Sequence, residues 1–199
     1  MRHWFMIPAA GMVALCTSFS SAAVTSHTTV ASFDAANGVA STLDDLSSYG
    51  TVSLNLGTNA FPSGYSIDLA GASDGSTELN GATNLVFTLA PGGLDSLTFN
   101  FDQPIVGFGA TWLNSFVSNG LNVTIDGQTT NLESIIAEPN FDFIGFSSDV
   151  PFTTATVTLL DPAGSSEFAA ISEVYFAVPA PGSAAALGLA GVALIRRRR

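Results

Sequence analysis

The sequence predicts an all-β protein, an antiparallel two-sheet β-sandwich of the jelly-roll type. Segments in which apolar and polar residues alternate recur along the chain, as they do in strands with one buried face. Turn residues separate these segments about every ten residues, a spacing typical of sandwiches and barrels. The sequence of the domain shows no long helical period. A β-helix is the alternative fold, but the chain lacks the fixed short repeat that such a fold requires.

The second half of the domain has the clearest strand patterns. Apolar residues occupy every second position in residues 96–102, and Gln103-Pro104 predicts a break before the next strand. Asp126-Gly127 follows another alternating segment and predicts a hairpin turn. In this half, strands are predicted at residues 96–102, 106–112, 121–125, 141–146, 155–160 and 168–176.

The first third of the domain gives weaker signals. Its segments rich in Thr and aliphatic residues favour strands, and residues 41–48 favour a short helical turn. The candidate strands are residues 28–33, 51–56, 66–69 and 85–89.

Charge is distributed very unevenly along the 199 residues. All five basic residues lie at the ends, whereas all sixteen acidic residues lie between Asp34 and Glu173. Phosphate recognition depends on Lys and Arg, so a domain that contains neither excludes nucleic acid as a partner. Its acidic surface attracts cations.

The N-terminus predicts a signal peptide in residues 1–23, whose apolar run would form a helix that flanks the sandwich domain. Arg2 and His3 form a short positive segment, residues 4–15 form the apolar run, and Ser21-Ala22-Ala23 is a small-x-small cleavage site. We therefore expect the export machinery to deliver the protein and cleavage to occur between Ala23 and Val24. An uncleaved N-terminal anchor is the alternative.

Residues 178–199 form a C-terminal tail of three chemically distinct blocks. A proline-containing block is followed by an apolar run at residues 184–195 and by four arginines. As a helix, residues 178–195 are about 27 Å long, just under the roughly 30 Å hydrocarbon core of a bilayer, which predicts a marginal transmembrane helix. The arginines would stay on the cytoplasmic side of the inner membrane. A buried C-terminal helix is the alternative. The first block is Val178, Pro179, Ala180, Pro181, Gly182 and Ser183, and the basic end is Arg196, Arg197, Arg198 and Arg199.

This tail resembles the sorting signal of PEP-CTERM proteins, exported bacterial proteins that end in a Pro-x-Pro motif, a membrane-spanning stretch and basic residues. Val178-Pro179-Ala180-Pro181 matches the motif, with Ala180 where Glu is usual. The resemblance implies an exosortase-like processing enzyme as a partner. It also implies a membrane-anchored precursor and a product at the cell surface or in the extracellular matrix, in bacteria that make exopolysaccharide.

The domain at residues 24–177 also resembles, more loosely, the β-sandwich found in many PEP-CTERM proteins. The similar segments are residues 101–112, 143–152 and 168–176, with Ser172-Glu173 where Asp-Asp is usual. The resemblance brings no enzymatic activity with it.

The mature chain lacks the residue types that most catalytic mechanisms use. Lys, Arg and Cys are missing from residues 24–177, and the one histidine, His27, lies near the new N-terminus, where chains are usually poorly ordered. A carboxylate pair could hydrolyse glycosidic bonds, but no spacing marks Asp142, Glu133 or Glu138 above the other acids.

Calcium is the metal that fits this composition, because it takes oxygen ligands from carboxylates and carbonyls. No cofactor is required, but Asp34, after the first candidate strand, and Glu173, in the last, are the candidate metal pair. The loop at residues 68–78 is a second candidate.

Aromatic residues could stack on sugars. The parity of Trp112 along its strand predicts that it lies in the core. Phe116 and Tyr65, together with Tyr49 and Phe61, fall in predicted loops and are the candidate ligand residues.

Together, these patterns predict an exported, surface- or matrix-associated β-sandwich protein without catalytic activity. The first alternative is a carbohydrate-binding module for a polysaccharide of the envelope. The second is a glycoside hydrolase that uses carboxylates.

Overall fold

The computed structural model describes residues 22–72, 77–80, 84–90, 92–114, 120–137, 139–160 and 167–179. The apolar runs of the predicted signal peptide and of the predicted C-terminal helix lie outside these residues, as does Phe116. Within the described part of the chain, no helix is long and apolar enough to cross a membrane.

The predicted all-β class is confirmed. Twelve strands, paired antiparallel except for one bridge between Leu89 and Leu94, and one α-helix, α1 (Val30–Asn37), make up the described fold. The strands are β1 (Val24–His27), β2 (Thr42–Asp44), β3 (Val52–Ser53), β4 (Gly57–Phe61), β5 (Tyr65–Gly71), β6 (Glu78–Asn80), β7 (Asn84–Leu89), β8 (Leu94–Asn114), β9 (Leu121–Ile125), β10 (Gln128–Asn131), β11 (Asn140–Leu159) and β12 (Glu167–Ala177).

Two long strands, β8 and β11, run through both parts of the sheet. The first part of β8 pairs with β5, and its second part pairs with β12. The first part of β8 has β5 and then β4 on one side, and the end of β11, then β9 and β10, on the other. We call these six strands half-sheet A. The remaining part, with β1, the start of β11, β12, β7, β6 and β3, is half-sheet B.

The strands predicted on either side of Gln103-Pro104 are one bent strand, β8, and those predicted at 141–146 and 155–160 are one strand, β11. These predictions of separate strands were wrong because the proline only removes a donor from the ladder. The ladder shifts register between Ser147 and Phe152 and again before Thr154. Bulges of this kind let a strand bend from one sheet layer to the next.

The two half-sheets pack face to face around a single core, which gives the β-sandwich-like fold. Phe99 in half-sheet A lies 4.9 Å, ring centre to ring centre, from Phe108 in half-sheet B. Trp112 is 0% exposed and its Nε1 donates to the Ile144 carbonyl at 3.1 Å. The core position predicted for Trp112 is therefore confirmed.

In the first third of the domain, two predictions differ from the structure and the other predicted strands are confirmed in whole or in part. Residues 28–33, predicted as a strand, enter helix α1, because the Thr29 side chain caps it by accepting from the Ser32 amide. Residues 41–48, predicted as a short helical turn, instead contain strand β2 and only the start of a 3₁₀ helix at Ser47–Tyr49. The strands predicted at 66–69 and 85–89 are confirmed as β5 and β7, and the segment at 51–56 shortens to β3.

The hairpin turn predicted at Asp126-Gly127 is confirmed. Both residues have positive φ, 48° and 75°. A type I′ turn requires this geometry and suits the twist of the flanking strands β9 and β10.

Candidate functional site

Helix α1 packs on the outer face of half-sheet B because glycines leave room there. A Cβ on Gly145 would lie 2.7 Å from the Phe143 ring and 2.8 Å from the Phe33 ring. A Cβ on Gly107 would lie 2.5 Å from the Asn37 amide. The rings of Phe33 and Phe143 therefore pack edge to face, 5.7 Å apart, over bare backbone.

Of the two predicted calcium ligands, Glu173 contacts the hydroxyl group of Tyr175 directly, whereas Asp34 affects that hydroxyl only through its negative charge. Glu173 Oε2 accepts from the Tyr175 hydroxyl at 2.9 Å and from Thr111 Oγ1 at 2.8 Å. Burial, together with the hydrogen bond to Glu173 and the negative charges of Glu173 and Asp34, raises the pKa of Tyr175 to about 12.

The setting of Asp34 differs from the predicted one. Asp34 lies within α1, not after a strand, because Thr29 starts a helix there, and its Oδ1 accepts from the Ser41 amide at 2.9 Å. The described residues contain no group of three or more His, Cys, Asp or Glu side chains that could hold a metal ion. A calcium ion held by Asp34 and Glu173 would therefore need backbone carbonyls or water for its other ligands, and this site stays a prediction.

His27 is better placed than the sequence suggests. It ends strand β1, which pairs with β11, so the expectation of a poorly ordered residue was wrong. Its Nε2 lies 2.6 Å from Ser147 Oγ, and burial lowers the pKa of the imidazole. No described carboxylate contributes to that shift, in contrast to a Ser-His-Asp triad, where a carboxylate orients the ring. The pair can exchange a hydrogen bond, but no orienting carboxylate is found among the residues that the structure describes.

Two grooves flank α1 on this outer face. The first, of about 280 Å³, contains His27, Ser147 and Asp149. The second, of about 310 Å³, contains Asn37 and Pro179. Of the predicted sorting motif, Val178 packs against the core and Pro179 reaches the second groove, and the remaining motif residues and the four arginines lie outside the described residues.

Sequence reasoning missed a buried carboxylate at the other end of the fold. Asp44 on β2 is 5% exposed, and its Oδ2 accepts from the hydroxyls of Tyr49 at 2.7 Å and Tyr65 at 3.0 Å. Its Oδ1 accepts from the Leu46 amide. No local pattern could have indicated this cluster, because Asp44 and Tyr65 are brought together only by the packing of β2 and β5.

The prediction that Tyr65 is an exposed ligand residue was wrong. Tyr65 begins β5 and is 1% exposed, and its ring stacks on that of Phe61, 5.0 Å away. Burial, followed by the charge of Asp44, raises the pKa of its hydroxyl. Phe61 is buried as well, and Tyr49 is half-buried. The turn before β5 is tight, so the chain enters the sheet at Tyr65 and not after it.

The other carboxylates singled out from the sequence also accept hydrogen bonds from neighbouring groups. Glu133 accepts from the Leu121 amide and from the Asn131 side chain. Asp142 accepts from the amide of Asn140. The Glu133 contacts tie the short 3₁₀ helix at Leu132–Ser134 to the start of β9, whereas the Asp142 contact lies within the first residues of β11. Glu138 lies outside the described residues.

The outer face of half-sheet A carries a row of polar side chains across six strands. The alternating patterns predict polar outer faces, but only the register shows that these residues stand opposite one another. Thr98 Oγ1 lies 3.0 Å from Thr156 Oγ1, and Asn100 donates to Asp68 at 2.9 Å. The row is Thr58, Asp68, Thr98, Thr156, Thr124 and Thr129.

No protein family, curated protein or solved structure matched the chain.

Proposed function

We propose that this protein is an exported, non-catalytic β-sandwich of the jelly-roll type that becomes part of the cell surface or extracellular matrix. The observation that carries the proposal is the use of its carboxylates as acceptors within the fold. Asp44 accepts hydrogen bonds from two tyrosines, and Glu173 accepts from a threonine and a tyrosine. Glu133 accepts from the backbone amide at the start of β9. Carboxylates occupied in this way stabilise a scaffold, whereas an acid catalyst must face its substrate.

The C-terminal tail supports delivery by a PEP-CTERM-like route. Strand β12 ends at Ala177, and the Val178–Pro181 motif follows directly. The proposed sequence of events is export with the N-terminal signal, retention in the inner membrane by the C-terminal run, and cleavage or transfer near Pro179–Ser183 by an exosortase-like enzyme. Because β12 ends at Ala177, cleavage near Pro179–Ser183 would leave the last strand whole.

Deletion of Arg196 to Arg199 tests the route. Without its basic end the tail loses the charges that fix its orientation, so the protein should move from the membrane fraction to the medium or carry an altered C-terminus. The matched control replaces the four arginines by four lysines, which keeps the charge. Unchanged fractionation and C-terminal mass after the deletion would contradict the proposed route.

A second candidate function, binding of a neutral polysaccharide, is favoured by the threonine row on half-sheet A. The row offers hydroxyl groups on strands about 4.8 Å apart, and Asp68 is its one carboxylate. Thr98→Val together with Thr156→Val removes hydroxyls while keeping shape. Reduced retention on exopolysaccharide would support this candidate, and retention equal to the unaltered protein would reject it.

A further inference from the structure

The backbone of the segment just before β1 forms hydrogen bonds with strand β11. The Ala23 amide donates to Asp149 Oδ1 at 2.7 Å, and the Ala23 carbonyl accepts from the Asp149 amide at 3.4 Å. Asp149 therefore holds Ala23 from both sides. A chain that begins at Val24 would lack both bonds.

The sequence rule for signal cleavage allows a second site one residue earlier. The rule requires small residues at the first and third positions before the cut. Ser21 and Ala23 satisfy it for a cut before Val24, and Ser20 and Ala22 satisfy it equally for a cut before Ala23. A cut before Ala22 would place Phe19 at the third position, which the rule disfavours.

Hydrolysis at the earlier site converts the Ala23 amide into a cation. The C–N bond between Ala22 and Ala23 breaks. Water supplies the hydroxyl of the new Ala22 carboxyl group and a hydrogen to the Ala23 nitrogen. The carboxyl proton then passes to the amine, which gives a carboxylate and an ammonium group. The nitrogen that already lies 2.7 Å from the Asp149 carboxylate would carry the charge.

A cation at this position would be unusual in a domain that is otherwise acidic. Residues 24–177 contain no Lys or Arg, so an α-ammonium group is the only fixed positive charge that the processed domain can acquire. A hydrogen bond between an ammonium group and a carboxylate is stronger than one between neutral groups. It would secure β1, which pairs with β11 alone, at the edge of half-sheet B.

We propose that the signal is removed after Ala22 and that the new α-ammonium group of Ala23 forms an ion pair with Asp149, which fastens β1 to β11. This inference rests on the proposed function, because it requires that the signal is cleaved during export. It moves the cut by one residue from the predicted site between Ala23 and Val24.

The N-terminal residue of the exported protein, produced from the full-length gene, tests the cleavage site. The inference predicts Ala23 as the first residue. Val24 or Ala22 as the first residue would overturn the inference while leaving export and processing in place. Met1 as the first residue would overturn the inference and the proposed processing together.

The ion pair can be tested separately, because the sequence contains no lysine and the α-amino group is therefore the only amine to react with an acylating reagent. Pairing should slow that reaction, so Asp149→Asn is expected to accelerate it about two- to fivefold, the range for an exposed pair. The control Asp95→Asn, at an exposed position on β8, should leave the rate unchanged. Equal rates in Asp149→Asn and the unaltered protein would overturn the ion pair.

A salt series on the unaltered protein gives a second measurement that does not depend on the folding of a variant. Salt screens exposed charges, so labelling of a paired amine should become faster as the salt concentration rises from about 0.01 M to 1 M. A rate independent of salt would overturn the ion pair.

Discussion

Replacing Tyr65 by phenylalanine should destabilise the fold although the ring remains. The change removes one hydroxyl, which lies 3.0 Å from Asp44 Oδ2 in a site that is almost closed to water. A hydrogen bond to a buried charged group contributes about 1.5–3 kcal/mol. Asp44 keeps its bonds to Tyr49 and to the Leu46 amide. We therefore expect the free energy of unfolding to fall by about 2 kcal/mol.

Tyr49→Phe is the matched control for this prediction. The Tyr49 hydroxyl contacts the same Asp44 oxygen, but the residue is half-buried and its hydroxyl also contacts Ser63. Water can replace the lost bond there, so the expected loss is about 1 kcal/mol or less.

Urea unfolding of the three proteins measures both losses. The midpoint should shift while the slope stays constant, because the surface exposed on unfolding does not change. In an Asp44→Asn background, Tyr65→Phe should cost less, because its partner is then neutral. The reasoning is refuted if Tyr65→Phe changes stability by less than about 0.5 kcal/mol, or if its cost is the same without the Asp44 charge.

Three further predictions concern the face under α1. Gly145→Ala should lower stability by about 1–3 kcal/mol, because its methyl group would overlap the Phe143 ring, and thermal unfolding checks this. Burial lowers the pKa of His27, so the unfolded chain takes up the proton first and stability should fall as pH drops below about 6.5; His27→Gln should remove that part of a pH series. If calcium binds between Asp34 and Glu173, chelation should lower the melting temperature more than an equal change in ionic strength, and Asp34→Asn should abolish the difference; equal melting temperatures would reject the site.

The alternating strands could be predicted from the sequence, because the pattern that identifies a strand involves only residues that are neighbours in the chain. The pattern of residues 96–102 and the Asp126-Gly127 turn depend on neighbours only, and the structure confirms both. The continuity of β8 past Pro104 was missed, because a strand bends through a proline only when a partner strand shifts register beside it.

The candidate sites were less predictable, because they are assembled from distant segments. Helix α1 depends on one capping threonine in a segment that otherwise favours a strand. The Asp44–Tyr65 contact and the His27–Ser147 contact join residues far apart in the chain. Asp34 and Glu173 were paired because of their predicted strands, whereas Asp34 lies in α1, which packs over Gly145 and Gly107.

An intact-mass measurement of the protein isolated from its native envelope tests the proposed export and processing most directly. The account predicts a species that begins at Ala23 or one residue later and ends between Pro179 and Ser183, with or without a group attached at that end. A mass that corresponds to all 199 residues, from Met1 to Arg199, would contradict it.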